Sequence, residues 1–276
     1  MLIFKYKFYL IVIISILLVS CNKDSNKITK PAKIPSLNIL YNSAFQSYEN
    51  GQPNDAIKLF QTVETRYSFT EWAERATIMI IYIYFETSEY VKSLEYIDKY
   101  LKFYPSSKNI EYAKFIKALC FYEQIDVVSR DQTYAKVALK QFNEIIDEFP
   151  NSIYADDAKY KIDLINEQLA GKEMYLARYY MKKSKWIPAI KRLKIILDIY
   201  SSTVFTTEAL HRLVEIYYKL GNIKEAKKYA AILGYNFNDS DWYKKSYKIV
   251  GNKNYIINKE FQKKKLKDKI KKLFSF

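Results

Sequence analysis

A pattern of small and large apolar residues runs through the chain from about residue 37. Its first copy has Ala44, then Gly51 seven positions later, Ala56 five after that, and then Phe60 and Tyr67. Small residues allow two helix axes to approach closely, and a large residue fills the groove between them. The pattern therefore predicts a pair of packed helices.

The pattern recurs, with gaps, in four further places. Its later members are Tyr84, Tyr90, Ser93 and Ile97; Ala138 and Phe142; Ala177, Tyr180, Trp186, Ala189 and Leu193; and Leu210, Leu213, Tyr217, Gly221 and Ala226. These residues resemble those of the TPR repeat, in which each unit is a pair of helices. The predicted fold is an all-α, TPR-like solenoid of about five helix pairs over residues 37–250.

The ends of the repeats predict where helices stop. Two copies end in an aromatic residue followed by Pro, at Tyr104-Pro105 and at Phe149-Pro150. Pro stops a helix because it lacks the N–H and clashes with the previous turn. Two other copies have Tyr-Ser instead, at Tyr67-Ser68 and Tyr200-Ser201, where we expect weaker helix ends.

The repeats are longer and less even than the roughly 34 residues of a standard TPR. The extra length falls at residues 126–132 and in the run 153–183, which holds no Pro and only Gly171 as a possible break. A long connecting helix fits the second of these segments best.

The first twenty residues have the pattern of a signal peptide. Lys5 and Lys7 precede an apolar run over residues 8–19 that only Ser15 interrupts. A membrane span needs roughly 20 residues, so the run fits a signal-peptide core better than an uncleaved anchor. It closes with Leu18-Val19-Ser20-Cys21, which resembles the bacterial lipobox. We therefore predict cleavage of residues 1–20 and a covalent lipid on Cys21.

The segment that follows is predicted to connect a membrane to the solenoid. Residues 21–36 are polar and contain Pro31 and Pro35, as expected of a flexible tether. By the sorting rule known for such lipoproteins, Asn22 directs the protein to the outer membrane of a Gram-negative host. With the lipid on Cys21, Cys120 has no partner for a disulfide, and a buried inert thiol is its expected state.

The net charge of +15 leaves two interpretations open. It is compatible with a nucleic acid or an anionic membrane as a partner, and equally with a genome whose A/T-rich codons enrich Lys, Asn, Ile, Tyr and Phe. The predicted signal peptide argues against nucleic acid. Residues 251–276 form a basic tail in which Leu266, Ile270, Leu273 and Phe274 share one helical face. That tail is either a membrane-surface helix or a solvated extension.

The sequence offers no candidate for catalysis, for a metal site or for a cofactor other than the lipid. Its single His, His211, has no partners at metal or triad spacing, and no Gly-rich phosphate loop is present. A structural or surface role is expected for His211. We therefore expect a binding protein and not an enzyme.

Several sequence segments together resemble the BamD family, the TPR lipoproteins of the β-barrel assembly machinery of Gram-negative outer membranes. These segments are the lipobox, residues 41–51, 149–158, 177–180 and 207–210, Trp186 with Ala189-Ile190, residues 233–237 and Trp242-Tyr243. The resemblance implies a scaffold on the periplasmic face of the outer membrane that helps to insert and fold barrel proteins. The alternative is another periplasmic TPR lipoprotein adaptor, serving cell-envelope division or pilus assembly.

The resemblance also implies two binding surfaces. The first is for the C-terminal signal of unfolded outer-membrane proteins, and TPR groove positions place there Asn38, Tyr41, Phe45, Tyr48, Arg75, Ile78, Tyr82 and Phe85. These residues suit an extended peptide that ends in an aromatic residue, with Arg75 gripping its carboxylate. Some of these aromatics can instead be core. The second surface docks the barrel-forming subunit, BamA, through its POTRA domains, with candidates Trp186, Lys191, Arg192 and Tyr217.

Overall fold

The computed structural model describes residues 36–251, and within them the chain forms eleven helices and no strand. The helices are α1 (Leu37–Glu49), α2 (Pro53–Arg66), α3 (Glu71–Glu86), α4 (Tyr90–Phe103), α5 (Ile110–Tyr122), α6 (Thr133–Glu148), α7 (Ile153–Lys182), α8 (Trp186–Ile199), α9 (Phe205–Lys219), α10 (Ile223–Asn236) and α11 (Asp241–Gly251). The predicted signal peptide, Cys21, nearly all of the tether and residues 252–276 of the tail lie outside the described residues.

The helices pack in the order in which they follow one another. Each of α1 to α10 contacts the next helix in sequence, and α11 packs on both α9 and α10. Five helix pairs with one closing helix make an all-α solenoid, which confirms the predicted fold class. Because each pair rests mainly on its neighbours, the solenoid leaves long helix faces open for partners.

The small and large residues of the repeat pattern form the core, as predicted. The residues that are at most 2% exposed include Ala44, Ala56, Phe60, Ser93, Ile97, Ala138, Phe142, Ala177, Ala189, Leu193, Leu210, Leu213 and Ala226. Ser93 is the polar member, and its hydroxyl donates to the carbonyl of Ile81 at 3.0 Å. The turns within the first and fifth pairs use Gly51 and Gly221, whose φ angles of 72° and 80° favour glycine.

All five second helices end in the same way. An aromatic residue follows the last helical residue, and its N–H donates to the carbonyl four residues earlier. These aromatics are Tyr67, Tyr104, Phe149, Tyr200 and Phe237. The expected weaker ends at Tyr67 and Tyr200 are therefore not seen, because both rings pack against core clusters even though no Pro follows them.

The predicted long helix is present as α7, which has 30 residues. It begins after Ser152, whose hydroxyl accepts from the N–H of Tyr154 at 3.2 Å. It passes through Gly171 unbroken, and a Cβ there would lie 3.3 Å from the ring of Phe205 and 3.4 Å from Val128. Glycine at this position allows α7 to approach both the start of α9 and the connection before α6.

Candidate functional site

The trough predicted between α1 and α3 has an anchored end. The ring of Tyr41 lies edge-on to Trp72 at 5.0 Å and to Phe60 at 5.3 Å, centroid to centroid. Phe60 is fully buried, so Tyr41 is fixed to the core and presents only part of its ring. The guanidinium carbon of Arg75 lies 5.4 Å from the centroid of the Trp72 ring, within range of a cation–π contact. This end therefore combines aromatic surface with a positive charge.

The other end of the trough is built on a shared carboxylate. Tyr48 on α1 and Tyr82 on α3 meet edge to face at 6.0 Å. Both hydroxyls donate to Glu86, that of Tyr48 to Oε2 at 2.9 Å and that of Tyr82 to Oε1 at 2.8 Å. Burial and the bonds to Tyr82 and Glu86 raise the pKa of Tyr48 well above its usual value. Both tyrosines therefore stay neutral donors at physiological pH, and the negative charge rests on Glu86.

Phe45 lies between the two ends, one turn after Tyr41 and one turn before Tyr48. Its side chain is 40% exposed and belongs to none of the core clusters. Phe85 is different, since it packs with the cluster beneath α3 and α4 and lies 6.0 Å from the ring of Tyr90. Of the two interpretations left open by the sequence, the contacts favour a surface role for Phe45 and a core role for Phe85.

Arg75, the predicted carboxylate grip, already has a partner on its own helix. Its Nη2 lies 2.6 Å from Oε1 of Glu71, and the two side chains are 48% and 61% exposed. An exposed pair of this kind contributes only about 0–1 kcal/mol. A carboxylate entering the trough can therefore take the place of Glu71 at little cost.

The structure shows four residues on or next to this surface that the sequence analysis did not single out. They are Trp72, Glu86, Tyr112 and Tyr154. Tyr112 on α5 lies 5.9 Å from Tyr154 on α7, and its pKa is raised by burial and by the proximity of Tyr82, Tyr154 and Glu86. Tyrosine side chains therefore extend from α1 and α3 to α5 and α7. Applying the same groove positions to α5 would have found Tyr112.

We call the surface formed by Tyr41, Phe45, Tyr48, Trp72, Arg75, Tyr82 and Glu86 the aromatic trough. Four of the groove residues predicted from the sequence are joined here by contacts: Tyr41, Tyr48, Arg75 and Tyr82. Phe45 lies beside them on α1, whereas Ile78 and Phe85 pack with the neighbouring core. Its chemistry is that of a binding surface: rings, one guanidinium and one carboxylate. It holds no nucleophile with a base.

The candidates for docking a barrel subunit are spread over α8 and α9. Trp186 packs on the C-terminal core, with Nζ of Lys219 at 4.5 Å from its ring centroid, and Tyr217 stacks on Tyr229 at 5.6 Å. Arg192 pairs with Glu173 of α7 through Nη1 at 3.1 and 3.3 Å. Lys191 is exposed. Three of the four therefore have structural contacts, and Lys191 is the most available for a partner.

Comparison with known proteins identifies the family. The YfiO family model, described as outer membrane lipoprotein, matches residues 35–233. The outer membrane protein assembly factor BamD of Caulobacter vibrioides is 34% identical over 239 residues, which cover 87% of this chain and 78% of that protein. The protein of the same name from Rickettsia prowazekii is 36% identical over 244 residues, covering 88% of this chain and 95% of that one. The chain belongs to the BamD family.

More distant BamD proteins match a similar region. The one from Neisseria meningitidis serogroup B is 29% identical over 223 residues, or 77% of this chain and 84% of its own. The sequence segments that resemble this family fall at structural points of the fold. Residues 149–158, for example, contain the end of α6, the Ser152 cap and the start of α7.

Residues from two BamD-like segments, 177–180 and 207–210, meet in a polar network near the C-terminal end of the solenoid. Arg178 on α7 and Arg212 on α9 both bind Glu208, which is 6% exposed; Arg212 Nε lies 3.1 Å from Glu208 Oε1. Arg212 also donates to Glu215 at 2.8 Å. Burial opposes ionisation of Glu215, but the hydrogen bonds and charges of His211 and Arg212 prevail and lower its pKa to about 2.

His211 closes this network and has a structural role, as the sequence led us to expect. It is 3% exposed, and its Nδ1 lies 2.8 Å from the hydroxyl of Ser246, which ties α11 to α9. Its ring lies 5.0 Å from that of Trp242. The segment around Trp242-Tyr243 therefore packs α11 against the last helix pair, α9 and α10.

The one cysteine of residues 36–251 lies in the core. Cys120 is fully buried and free, and burial raises the pKa of its thiol to about 11. No group of three or more His, Cys, Asp or Glu side chains in the described part of the chain is arranged to hold a metal. No helix among these residues combines the length and apolarity needed to cross a membrane.

Proposed function

We propose that this chain is a non-catalytic, lipid-anchored scaffold that helps to assemble β-barrel proteins in the outer membrane. Its relatives carry the name outer membrane protein assembly factor. In this proposal Cys21 carries the lipid, and the solenoid lies on the periplasmic face. The observation that carries the proposal is the aromatic trough, with exposed Phe45 between two fixed ring clusters and Arg75 at one end.

The ligand that fits this trough is an unfolded segment with an aromatic C-terminus. Aromatic anchors provide much contact area at a small loss of side-chain entropy, and the tyrosine rings are already held by their neighbours. Arg75 provides a planar guanidinium that suits a terminal carboxylate once Glu71 is displaced. A nascent barrel protein that ends in Phe supplies both groups at once.

The C-terminal pairs are proposed to dock the barrel-forming subunit, BamA, through its POTRA domains. Exposed Lys191 supports this, together with the partly buried Trp186, Arg192 and Tyr217 around it on α8 and α9. The Arg178–Glu208–Arg212 network and α11 would keep that end rigid. The trough and the docking end are then separate surfaces on one solenoid.

Replacing Phe45 by Ala should weaken binding of a peptide that ends in Phe by about 1–3 kcal/mol, as expected of an aromatic hot spot. Since Phe45 is 40% exposed, the melting temperature should hardly change. Fluorescence titration of the peptide, run beside thermal denaturation, measures both quantities. The control is Phe103→Ala on α4, where a ring that is 53% exposed lies outside the trough. Full affinity at full stability in the Phe45 variant would remove the trough from the proposal.

A further inference from the structure

Glu86 is a charged part of the aromatic trough that the proposed function does not use. Its carboxylate is held in place by the hydroxyls of Tyr48 and Tyr82. These donors are neutral, so they orient the carboxylate without cancelling its charge. Among the ion pairs of residues 36–251, none involves Glu86. The trough therefore presents a fixed and uncompensated negative charge.

Arg75 and Glu86 mark the two ends of one helix face. They are eleven residues apart on α3, which is close to three turns and places them on the same side of the helix. At 1.5 Å per residue their Cα atoms are separated by about 16 Å. Tyr41 contacts Trp72 and Tyr48 contacts Tyr82, so α1 runs beside α3 in the same direction over this length.

The surface between these ends is apolar and aromatic. Phe45 lies midway along α1, one turn from Tyr41 and one turn from Tyr48. The trough is thus positive at one end, apolar in the middle and negative at the other end. An extended peptide advances about 3.3 Å per residue, so about five residues span the distance.

We infer that the aromatic trough selects peptides that carry a basic side chain about five residues before an aromatic C-terminus. The inference rests on the proposed function and adds the charge pattern of the ligand. The terminal carboxylate replaces Glu71 at Arg75, the terminal ring lies against Trp72 and Tyr41, and Lys or Arg meets Glu86. A peptide with an acidic residue at that position is disfavoured by the same carboxylate.

The structure sets the expected size of the effect. Glu86 is exposed, so a new ion pair there changes affinity only about two- to fivefold. Attraction to Lys and repulsion of Glu act in opposite directions, so exchanging one for the other should change affinity about tenfold at low salt. The ratio should fall as the salt concentration rises.

The test uses the full lipidated chain in detergent and peptides of eight or more residues ending in Phe. Lys, Ala or Glu is placed in turn at each position from three to seven residues before the C-terminus, and affinities are measured by competition titration. The preference for Lys over Glu should peak near the fifth position. In Glu86→Gln, which keeps an acceptor for the tyrosine hydroxyls, the Lys and Glu peptides should become equal in affinity, each measured relative to the Ala peptide.

The matched control is Glu95→Gln, which removes the same charge from the exposed face of α4 and should leave the preference intact. If Glu86→Gln and Glu95→Gln reduce the preference for Lys over Glu equally, the inference is overturned, because the effect then comes from net charge. Binding of all peptides without charge preference would refute the inference and leave the proposed function standing. If no peptide ending in Phe binds, the proposed function and the inference both fail.

Discussion

Replacing Cys21 by Ala should abolish lipid labelling of this protein and release it from the membrane fraction. The apolar run over residues 8–19 is too short to hold the chain across about 30 Å of hydrocarbon. Several acyl chains on one terminus, by contrast, give durable anchoring. The expected change is therefore all or none.

Metabolic labelling with palmitate, followed by membrane fractionation in high salt, measures this effect. High salt removes any contribution from the basic tail, because attraction of Lys side chains to anionic lipid is screened. Cys120→Ala is the matched control: Cys120 is fully buried, so its loss should leave labelling unchanged. Label retained by the Cys21 variant would show that the lipobox interpretation is wrong.

Replacing Glu208 by Ala should lower the free energy of unfolding of the C-terminal pairs by about 3 kcal/mol, since removing one partner of a buried ion pair is strongly destabilising. Two guanidinium groups lose their shared carboxylate, that of Arg178 on α7 and that of Arg212 on α9. The effect should lie at the low end of the usual range, because the Arg178 side chain is 54% exposed and can be rehydrated.

Urea unfolding followed by tryptophan fluorescence tests this prediction. Trp242 lies over Arg212, with the guanidinium carbon 5.2 Å from its ring centroid, and so reports on this end of the solenoid. Glu208→Gln should lose less stability, because the amide oxygen can still accept from a guanidinium and the side chain fills the same volume. Glu95→Ala on the exposed face of α4 should change stability by no more than about 0.5 kcal/mol. An equal loss in the Glu95 and Glu208 variants would contradict the structural role of the network.

The repeat core was predictable because one rule fixes it everywhere. Ala44, Ala56 and Phe60 occupy positions where two helices touch, and the same small and large residues recur with the repeat. The long helix α7 was equally predictable, since its residues lack Pro and any other strong break. Local sequence therefore decided both the helices and the face that each one buries.

The parts that sequence reasoning missed depend on contacts between distant residues. Glu86 meets Tyr48 across 38 positions, and Arg178 meets Glu208 across 30. No spacing within one helix signals such a pair. The helix ends at Tyr67 and Tyr200 show the same limit, because packing of the ring against the core replaces the missing Pro.

Two residues of α3 show where sequence reasoning about the candidate site was right and where it was wrong. Tyr82 and Phe85 share a helical face by spacing, yet Tyr82 points its hydroxyl to Glu86 while Phe85 packs against Tyr90 of α4. Side chains three residues apart on a helix differ in direction by about 60° around the helix axis. That difference is enough to place one in the trough and the other in the core. The sequence placed both on the binding face; only the packing of α4 distinguishes them.

Photo-crosslinking from the position of Phe45 tests the central claim most directly. A photoreactive aromatic residue is placed there in the full chain, in cells that produce a barrel protein ending in Phe. We expect adducts with the unfolded barrel protein that disappear when its terminal Phe is deleted, and few adducts from the same probe at the position of Phe103 on α4. Equal adducts from the two positions, or adducts that do not depend on the terminal Phe, would contradict it.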